Sequence, residues 1–258
     1  MKSALYPILA CVALGACSSS GGGDDRGISG PFTVTRDLVA DTYTVTPTLG
    51  ETIVFDGAPA FDRGIFDSAT LQDGGGSIAV ATLGGGSATL LFPNSGDQST
   101  AEVILEQAAE TSIPALGSAA FTGDYAGSVF LAEGIFADTS GNITLNVDFE
   151  SRTLSGRVAN RTVDSFDTDY GLTSADDIVL NTVDFDANGV TAPAGGRATT
   201  SVLIFEGQRF VQSQDGTFSS ILSDENAANA FGSVRIDYTL EGGGDVATEF
   251  GAFAASQE

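Results

Sequence analysis

From residue 32 to its end the chain alternates apolar and polar positions in short runs. Ile143, Leu145, Val147 and Phe149 interleave with Thr144, Asn146, Asp148 and Glu150. Successive side chains of a strand point to opposite faces, so this run has one dry face and one wet face. Val234, Ile236, Tyr238 and Leu240 interleave in the same way with Ser233, Arg235, Asp237 and Thr239. Val, Thr, Phe, Ile and Gly dominate, and no helical period is sustained, so the pattern predicts an all-β protein. Ser140-Gly141, Asn188-Gly189 and Asp215-Gly216 supply turn chemistry between runs. Gly84-Gly85-Gly86 joins runs 77–83 and 87–92 as a hairpin. Segment 99–110 fits two readings equally. Ser99 and Glu102 have capping-box spacing ahead of Val103, Ile104, Leu105, Ala108 and Ala109, yet the same apolar residues suit a strand. Ser112-Ile113-Pro114 ends either element and marks the expected boundary between a small N-terminal β-rich domain, 31–114, and a C-terminal domain, 115–258.

After that boundary the expected strands are 119–130, 141–150, 153–163, 178–185, 199–206, 216–223, 233–240 and 248–255. This count suits an eight-stranded antiparallel barrel, which closes its own edges around an interior just wide enough for side chains. A membrane-spanning barrel also alternates. The polar chain end at Gln257-Glu258 and the lack of aromatic girdles favour a soluble barrel with its apolar face inward. Phe121, Phe149, Phe185, Phe218 and Phe250 fall on apolar strand positions and are expected in the core.

The N-terminus carries a different message. Lys2 precedes an apolar stretch, 4–14, too short to span ~30 Å of hydrocarbon, and Leu14-Gly15-Ala16-Cys17 resembles the lipobox cut by lipoprotein signal peptidase. Residues 1–16 are therefore expected to be a signal peptide and Cys17 the acylated first residue. Ser18 in place of Asp is compatible with sorting to the outer membrane, and ~0.8 kcal/mol per buried CH₂ would make two or three acyl chains a stable anchor. Residues 17–30, with Gly21-Gly22-Gly23 before Asp24-Asp25, read as a tether of about 20 Å mean reach.

Composition narrows the chemistry. The chain has no His or Trp and a formal charge of −24; losing Lys2, the only lysine, makes it −25. Acidity of this degree argues against nucleic acid as a partner. After cleavage, Cys17 is the only cysteine, which leaves no disulfide, no Cys-rich metal site, no Ser-His or Cys-His nucleophile and no lysine Schiff base. Among side chains of the usual kind, only Tyr43, Tyr125, Tyr170 and Tyr238 remain to ligate haem iron. Asp184, Asp186, Asn188 and Gly189 open like a calcium loop, but Gly195 stands where the bidentate acid belongs, so a solvated Asn-Gly turn is the plainer reading. Asp164, Asp167, Asp169, Asp176 and Asp177 form a second acidic loop around Tyr170. Arg152, Arg157, Arg161, Arg197 and Arg209 stand out in so acidic a chain; internal pairing with Asp is the simple expectation, and recognition of an acidic ligand the sharper one. No catalytic pair, metal site or cofactor site is nominated.

One stretch resembles a known family. The run 141–149, Gly-Asn-Ile-Thr-Leu-Asn-Val-Asp-Phe, followed by 152–160, Arg-Thr-Leu-Ser-Gly-Arg-Val-Ala-Asn, is similar to the signature hairpin of the transferrin-binding protein B barrel family. Runs 120–127 and 250–255 are similar to that barrel's first and last strands. The chain departs from the family at 224–230, Asp-Glu-Asn-Ala-Ala-Asn-Ala, where a Gly-Pro-Asn-Ala-Glu-like turn is usual. In length it is nearer factor H binding protein and the single-barrel haem or haemoglobin-binding relatives than the two-lobed members. The resemblance implies a surface-displayed, outer-membrane lipoprotein that is not an enzyme and that binds a protein or iron-bearing ligand, for nutrient capture or host interaction. No transferrin-site residue carries over. The alternative is a structural or adhesive envelope lipoprotein; a carboxylate-pair glycan hydrolase would require two acids ~5–9.5 Å apart, one with a raised pKa.

Overall fold

The computed structural model describes residues 29–37, 40, 42–49, 52–56, 65–70, 76–92, 101–131, 134–165, 173–192, 195–205, 207–244 and 246–258. Cys17, the signal segment, Tyr170, Asp167 and Asp169 lie outside them.

Two small antiparallel sheets come first. One contains β1 (Ser29–Asp37), β2 (Thr42–Leu49) and β3 (Ile53–Phe55); the other contains β4 (Asp67–Thr70), β5 (Ser77–Leu83), β6 (Gly86–Phe92) and β7 (Glu102–Glu106). The expected 77–92 hairpin is present. Gly84 and Gly85 have φ of 54° and 89°, the left-handed pair that a two-residue hairpin loop needs.

The barrel begins with β8 (Ser118–Leu131), β9 (Gly134–Asp148) and β10 (Thr153–Ser165), and continues through β11 (Ser174–Ala175), β12 (Ile178–Asp184), β13 (Gly196–Thr199) and β14 (Val202–Phe205). It ends with β15 (Gln208–Gln212), β16 (Gly216–Ser223), β17 (Asn229–Leu240) and β18 (Val246–Gln257). The ring runs β8, β9, β10, β12, β13, β16, β17, β18, and β18 pairs with both β17 and β8 to close it. Strands β14 and β15 form a hairpin that extends the wall from β13 and β16 and joins β17 at Phe210 to Gln212.

Two local expectations need correction. Ser140-Gly141 is no turn but lies within β9, which starts at Gly134. The expected strand 199–206 is interrupted between β13 and β14, whereas Asp215-Gly216 does lie between strand runs, where β16 begins. Within segment 99–110 the described residues Glu102–Glu106 form the strand β7, which is covered on both faces. Val103 and Leu105 pack toward the barrel and Ile104 toward the first sheet, whereas a short helix would bury a single stripe.

The second sheet is the middle of three layers. Its Ala79, Ala81, Ala88, Leu90 and Phe92 pack on the outer barrel wall at Ala126, Phe130, Phe231, Ala252 and Ala254. Its Ile78, Val80 and Leu91 meet Tyr43, Val45 and Phe55 of the first sheet. Two covered faces explain why β5 and β6 are buried along nearly their whole length instead of at alternate positions. They also place Phe250 outside the barrel, against Phe130 (5.8 Å) and under Arg235 (5.2 Å), while Phe121, Phe149, Phe185 and Phe218 fill the interior as expected.

Candidate functional site

The barrel interior is a packed core with one polar centre. Phe121, Phe205, Phe210, Phe218, Phe253, Tyr125 and Tyr238 are each 2 % exposed or less. Amid them Arg161 and Glu249 form an ion pair at 2.5 Å, with both side chains 0 % exposed.

A backbone irregularity delivers the arginine. In β10, Leu154 and Val158 point inward by simple alternation, which would aim residue 160 inward next. Between Ala159 and Thr162 the register with β9 shifts, so that Asn160 and Arg161 together face Gly141. Asn160 has φ of 52°, the left-handed conformation that Asn tolerates better than most residues. This bulge flips the parity, and Arg161 and Val163 become the buried positions. On β18 no irregularity is needed. Glu249 shares the inward face with Ala247, Phe253 and Ala255.

Around the pair every carboxylate lone pair is used. Glu249 Oε1 accepts from Tyr125 Oη (2.8 Å), Thr139 Oγ1 (2.8 Å) and Arg161 Nη2 (2.6 Å). Oε2 accepts from Tyr238 Oη (2.7 Å) and Arg161 Nη2 (2.5 Å), while Arg161 Nη1 donates to the Asp176 carbonyl (2.6 Å). Arg161 Nε has no hydrogen-bond partner. Tyr125 reaches Glu249 by lying across Gly251 of the neighbouring strand, where a Cβ would overlap its ring and hydroxyl. Gly127 makes room on the other side, since a Cβ there would sit 2.6 Å from Thr139 Oγ1.

The electrostatics follow from this saturation. Burial alone would raise the Glu249 carboxyl, but the Arg161 charge and the hydrogen bonds from Tyr238, Arg161 and Thr139 outweigh it and hold the group below the usual range. Burial, reinforced by the Glu249 charge, pushes both phenols well above theirs. Burial opposes the Arg161 charge, yet Glu249 more than restores it. The result is a locked ion pair, poorly suited to proton transfer: it has a single acid with no proton to donate at neutral pH. Three of the four candidate haem-ligating tyrosines are committed to carboxylates, Tyr125 and Tyr238 to Glu249 and Tyr43 to Asp67 at 2.8 Å.

Other predicted site residues are placed as follows. Asp186 caps its own turn, accepting from the Asn188 and Val190 amides at 2.9 Å each, and Gly189 has φ of 78°; this is the Asn-Gly turn. Of the second acidic loop, Asp164 is exposed near the end of β10, the Asp176 carbonyl serves Arg161, and Asp177 pairs with Arg157. Arg197 pairs with Asp215 and Arg209 with Glu241, so internal pairing accounts for four of the five arginines singled out; Arg152 sits in the β9–β10 turn with φ of 54°. Among the described residues no group of three or more His, Cys, Asp and Glu is placed to hold a metal ion.

The family-like hairpin proves to be architecture. Asp148 Oδ1 accepts from the Glu150 and Ser151 amides at 2.9 Å each, and these backbone donors, Ser151 foremost, hold its carboxyl below the usual range. Phe149 is buried and its N–H donates to the Gly117 carbonyl at 2.9 Å. Leu145 lies over Gly156, where a Cβ would come within 2.6 Å of it. Asn160 makes the bulge. Each of these residues shapes the barrel.

Among the described residues, clefts open at two places on the surface. One, of about 220 Å³, lies between the N-terminal sheets over Val34, Tyr43, Ile65 and Val80, with Arg36, Asp67 and Glu106 at its edge. The other, of about 360 Å³, is lined by Glu110, Thr111, Ser112, Asp224 and Glu225, where the first segment meets the barrel.

No protein-family model and no curated protein matches the chain. Among solved structures it is similar to a point mutant of transferrin binding protein B from Haemophilus parasuis Hp5, at 16 % identity and a TM-score of 0.44, over 81 % of this chain and 39 % of that one. It is also similar to isotype 1 transferrin binding protein B from serogroup B Neisseria meningitidis, at 17 % identity and a TM-score of 0.44, over 87 % of this chain and 41 % of that one. A Nostoc punctiforme protein of unknown function from the DUF3598 family aligns at 12 % identity and a TM-score of 0.27. The chain thus spans about two fifths of the length of the transferrin binding proteins it resembles in shape. Similarity at this level does not place it in a family.

Proposed function

We propose that this protein is a non-enzymatic binding lipoprotein, anchored through acylated Cys17 in the outer membrane and displayed at the cell surface. A tether, 17–30, carries an N-terminal β-rich unit, 31–114, and a barrel, 115–258. Together they capture a protein or iron-bearing ligand for nutrient acquisition or host interaction. The observation that carries this reading is the 141–160 hairpin with its resemblance to the transferrin-binding protein B barrel family; the lipobox-like 14–17 run supplies the anchor. The filled interior adds support, because a barrel packed with aromatic side chains offers its ligand the outer surface and the loops instead of a chamber.

Anchoring and capture are tested together. Cys17→Ala is expected to move the protein from the membrane fraction to the soluble fraction. The intact mature chain, immobilised, is expected to retain an iron-carrying or host extracellular protein that an unrelated acidic β-protein does not retain. Envelope proteins alone in the eluate would favour the structural reading, and unchanged membrane fractionation of Cys17→Ala would remove the lipid anchor.

A further inference from the structure

The turn between β16 and β17 holds three of the five non-glycine residues with positive φ among the described residues. Asp224 has φ 75° and ψ 175°, a region otherwise reserved for glycine. Asn226 and Ala227 follow at φ 56° and 53°. Three non-glycine residues at positive φ within four positions persist only if something outside the turn holds them there.

What holds them is the segment that leaves the N-terminal sheets. The Asp224 N–H donates to Thr111 Oγ1 (3.1 Å), the Asn226 N–H to Ser112 Oγ (2.8 Å) and the Ala227 N–H to the Ser112 carbonyl (2.8 Å). The Ser112 N–H returns a bond to the Asp224 carbonyl (3.2 Å). From the other side the Gly84 hairpin turn presses on the same place, since a Cβ on Gly84 would overlap the Asp224 carboxylate. The neighbouring loop is tied in as well. Gln107 Nε2 donates to the carbonyls of Leu222 (2.6 Å) and Asn188 (2.7 Å), and the Leu222 N–H donates to the Gly189 carbonyl (2.9 Å). Ala227 is fully buried and belongs to the interior core, so the turn closes this end of the barrel.

We propose that the 224–227 turn is a strained latch, held shut by segment 107–112, through which docking of the N-terminal sheets controls closure of one end of the barrel. Strain stored in the turn favours release, and the bonds from Thr111 and Ser112 oppose it. A partner that draws segment 107–112 away therefore opens the turn and loosens the adjoining 186–191 loop. The coupling is reciprocal, because a partner that prefers the open turn also weakens docking of the sheets.

Amide hydrogen exchange on the full mature chain tests this. With Thr111→Val and Ser112→Ala combined, the amides of Asp224, Asn226 and Ala227 are expected to lose protection at least ten-fold. Those of Gly189 and Leu222 should follow, while Phe149 at the β9–β10 turn keeps its protection. Unchanged protection at 224–227 would overturn the latch. Substitution at the exposed Asn226 gives an independent readout if the double variant fails to fold. Asn226→Gly should keep or raise protection of the turn, and Asn226→Val should lower it at least ten-fold, since a β-branched residue resists positive φ. Equal protection in the two variants would show that the turn is unstrained and would equally overturn the proposal.

Discussion

Arg161→Met is expected to destabilise the barrel by about 3–5 kcal/mol, because it leaves the Glu249 carboxylate buried without its counter-charge. The loss should exceed that of any exposed pair, such as Arg197–Asp215, where solvent screening leaves about 0–1 kcal/mol. Adding Glu249→Gln should recover much of the deficit: the Gln oxygen still accepts from Tyr125, Tyr238 or Thr139, and no charge remains in the core. The dependence on pH gives the prediction its sign. In the native chain the Glu249 carboxyl is held below its usual range, so it contributes stability above its unfolded pKa of about 4.3 and loses it as pH falls through the folded value. Without Arg161, burial raises the carboxyl instead. The contribution is then fully present below about pH 4.3 and lost as pH rises through the raised folded pKa. Urea unfolding at several pH values should therefore show the gap between native chain and Arg161→Met widening with pH and closing in acid. A gap independent of pH would mean that Glu249 is not the group left unpaired.

Deletion of Thr162 is expected to abolish the native barrel. With one residue fewer after the bulge, Val163 turns to solvent, or Arg161 does if the strand absorbs the bulge, and a one-residue slip moves a strand's whole apolar set to the wrong face. Deletion of Asn160 itself should be far better tolerated, because it removes the extra residue of the bulge and alternation from Val158 still places Arg161 and Val163 inward. Substitutions at Asn160 should grade the cost of keeping the bulge. Asn160→Gly keeps access to φ of 52° and should cost little, whereas Asn160→Val should cost about 1–2 kcal/mol for a branched residue in the left-handed region. Near-ultraviolet circular dichroism of the buried tyrosines, together with the unfolding midpoint, separates loss of the barrel from simple destabilisation.

Arg161 and Asn160 also mark where the sequence can be read and where it cannot. Period-two alternation locates most barrel strands because one face is dry and the other wet, and β9 and β17 keep to it along most of their length. Alternation fails where that condition fails. Strands β5 and β6 are covered on both faces, and outward Ala252 and Ala254 lie under the second sheet, so burial there no longer follows the alternation. Strand β15 is short and polar at its start, and it passes as a loop. Glu249 was legible in principle, since it is a charge on the face shared by Ala247, Phe253 and Ala255. Arg161 was not legible, because a bulge is a backbone event and parity counted from Leu154 aims it at solvent. The hairpin residues that resemble a family set the turn and the bulge, which explains why the resemblance points to a fold and names no ligand-contacting residue.

Protease shaving of intact cells expressing the full chain decides whether this barrel is displayed at the cell surface. Immunodetection of the folded region, with a permeabilised control, is the readout. Surface display predicts loss of the protein from intact cells and the same loss after permeabilisation. Protection until the outer membrane is permeabilised would contradict it and place the protein in the periplasm as an envelope component.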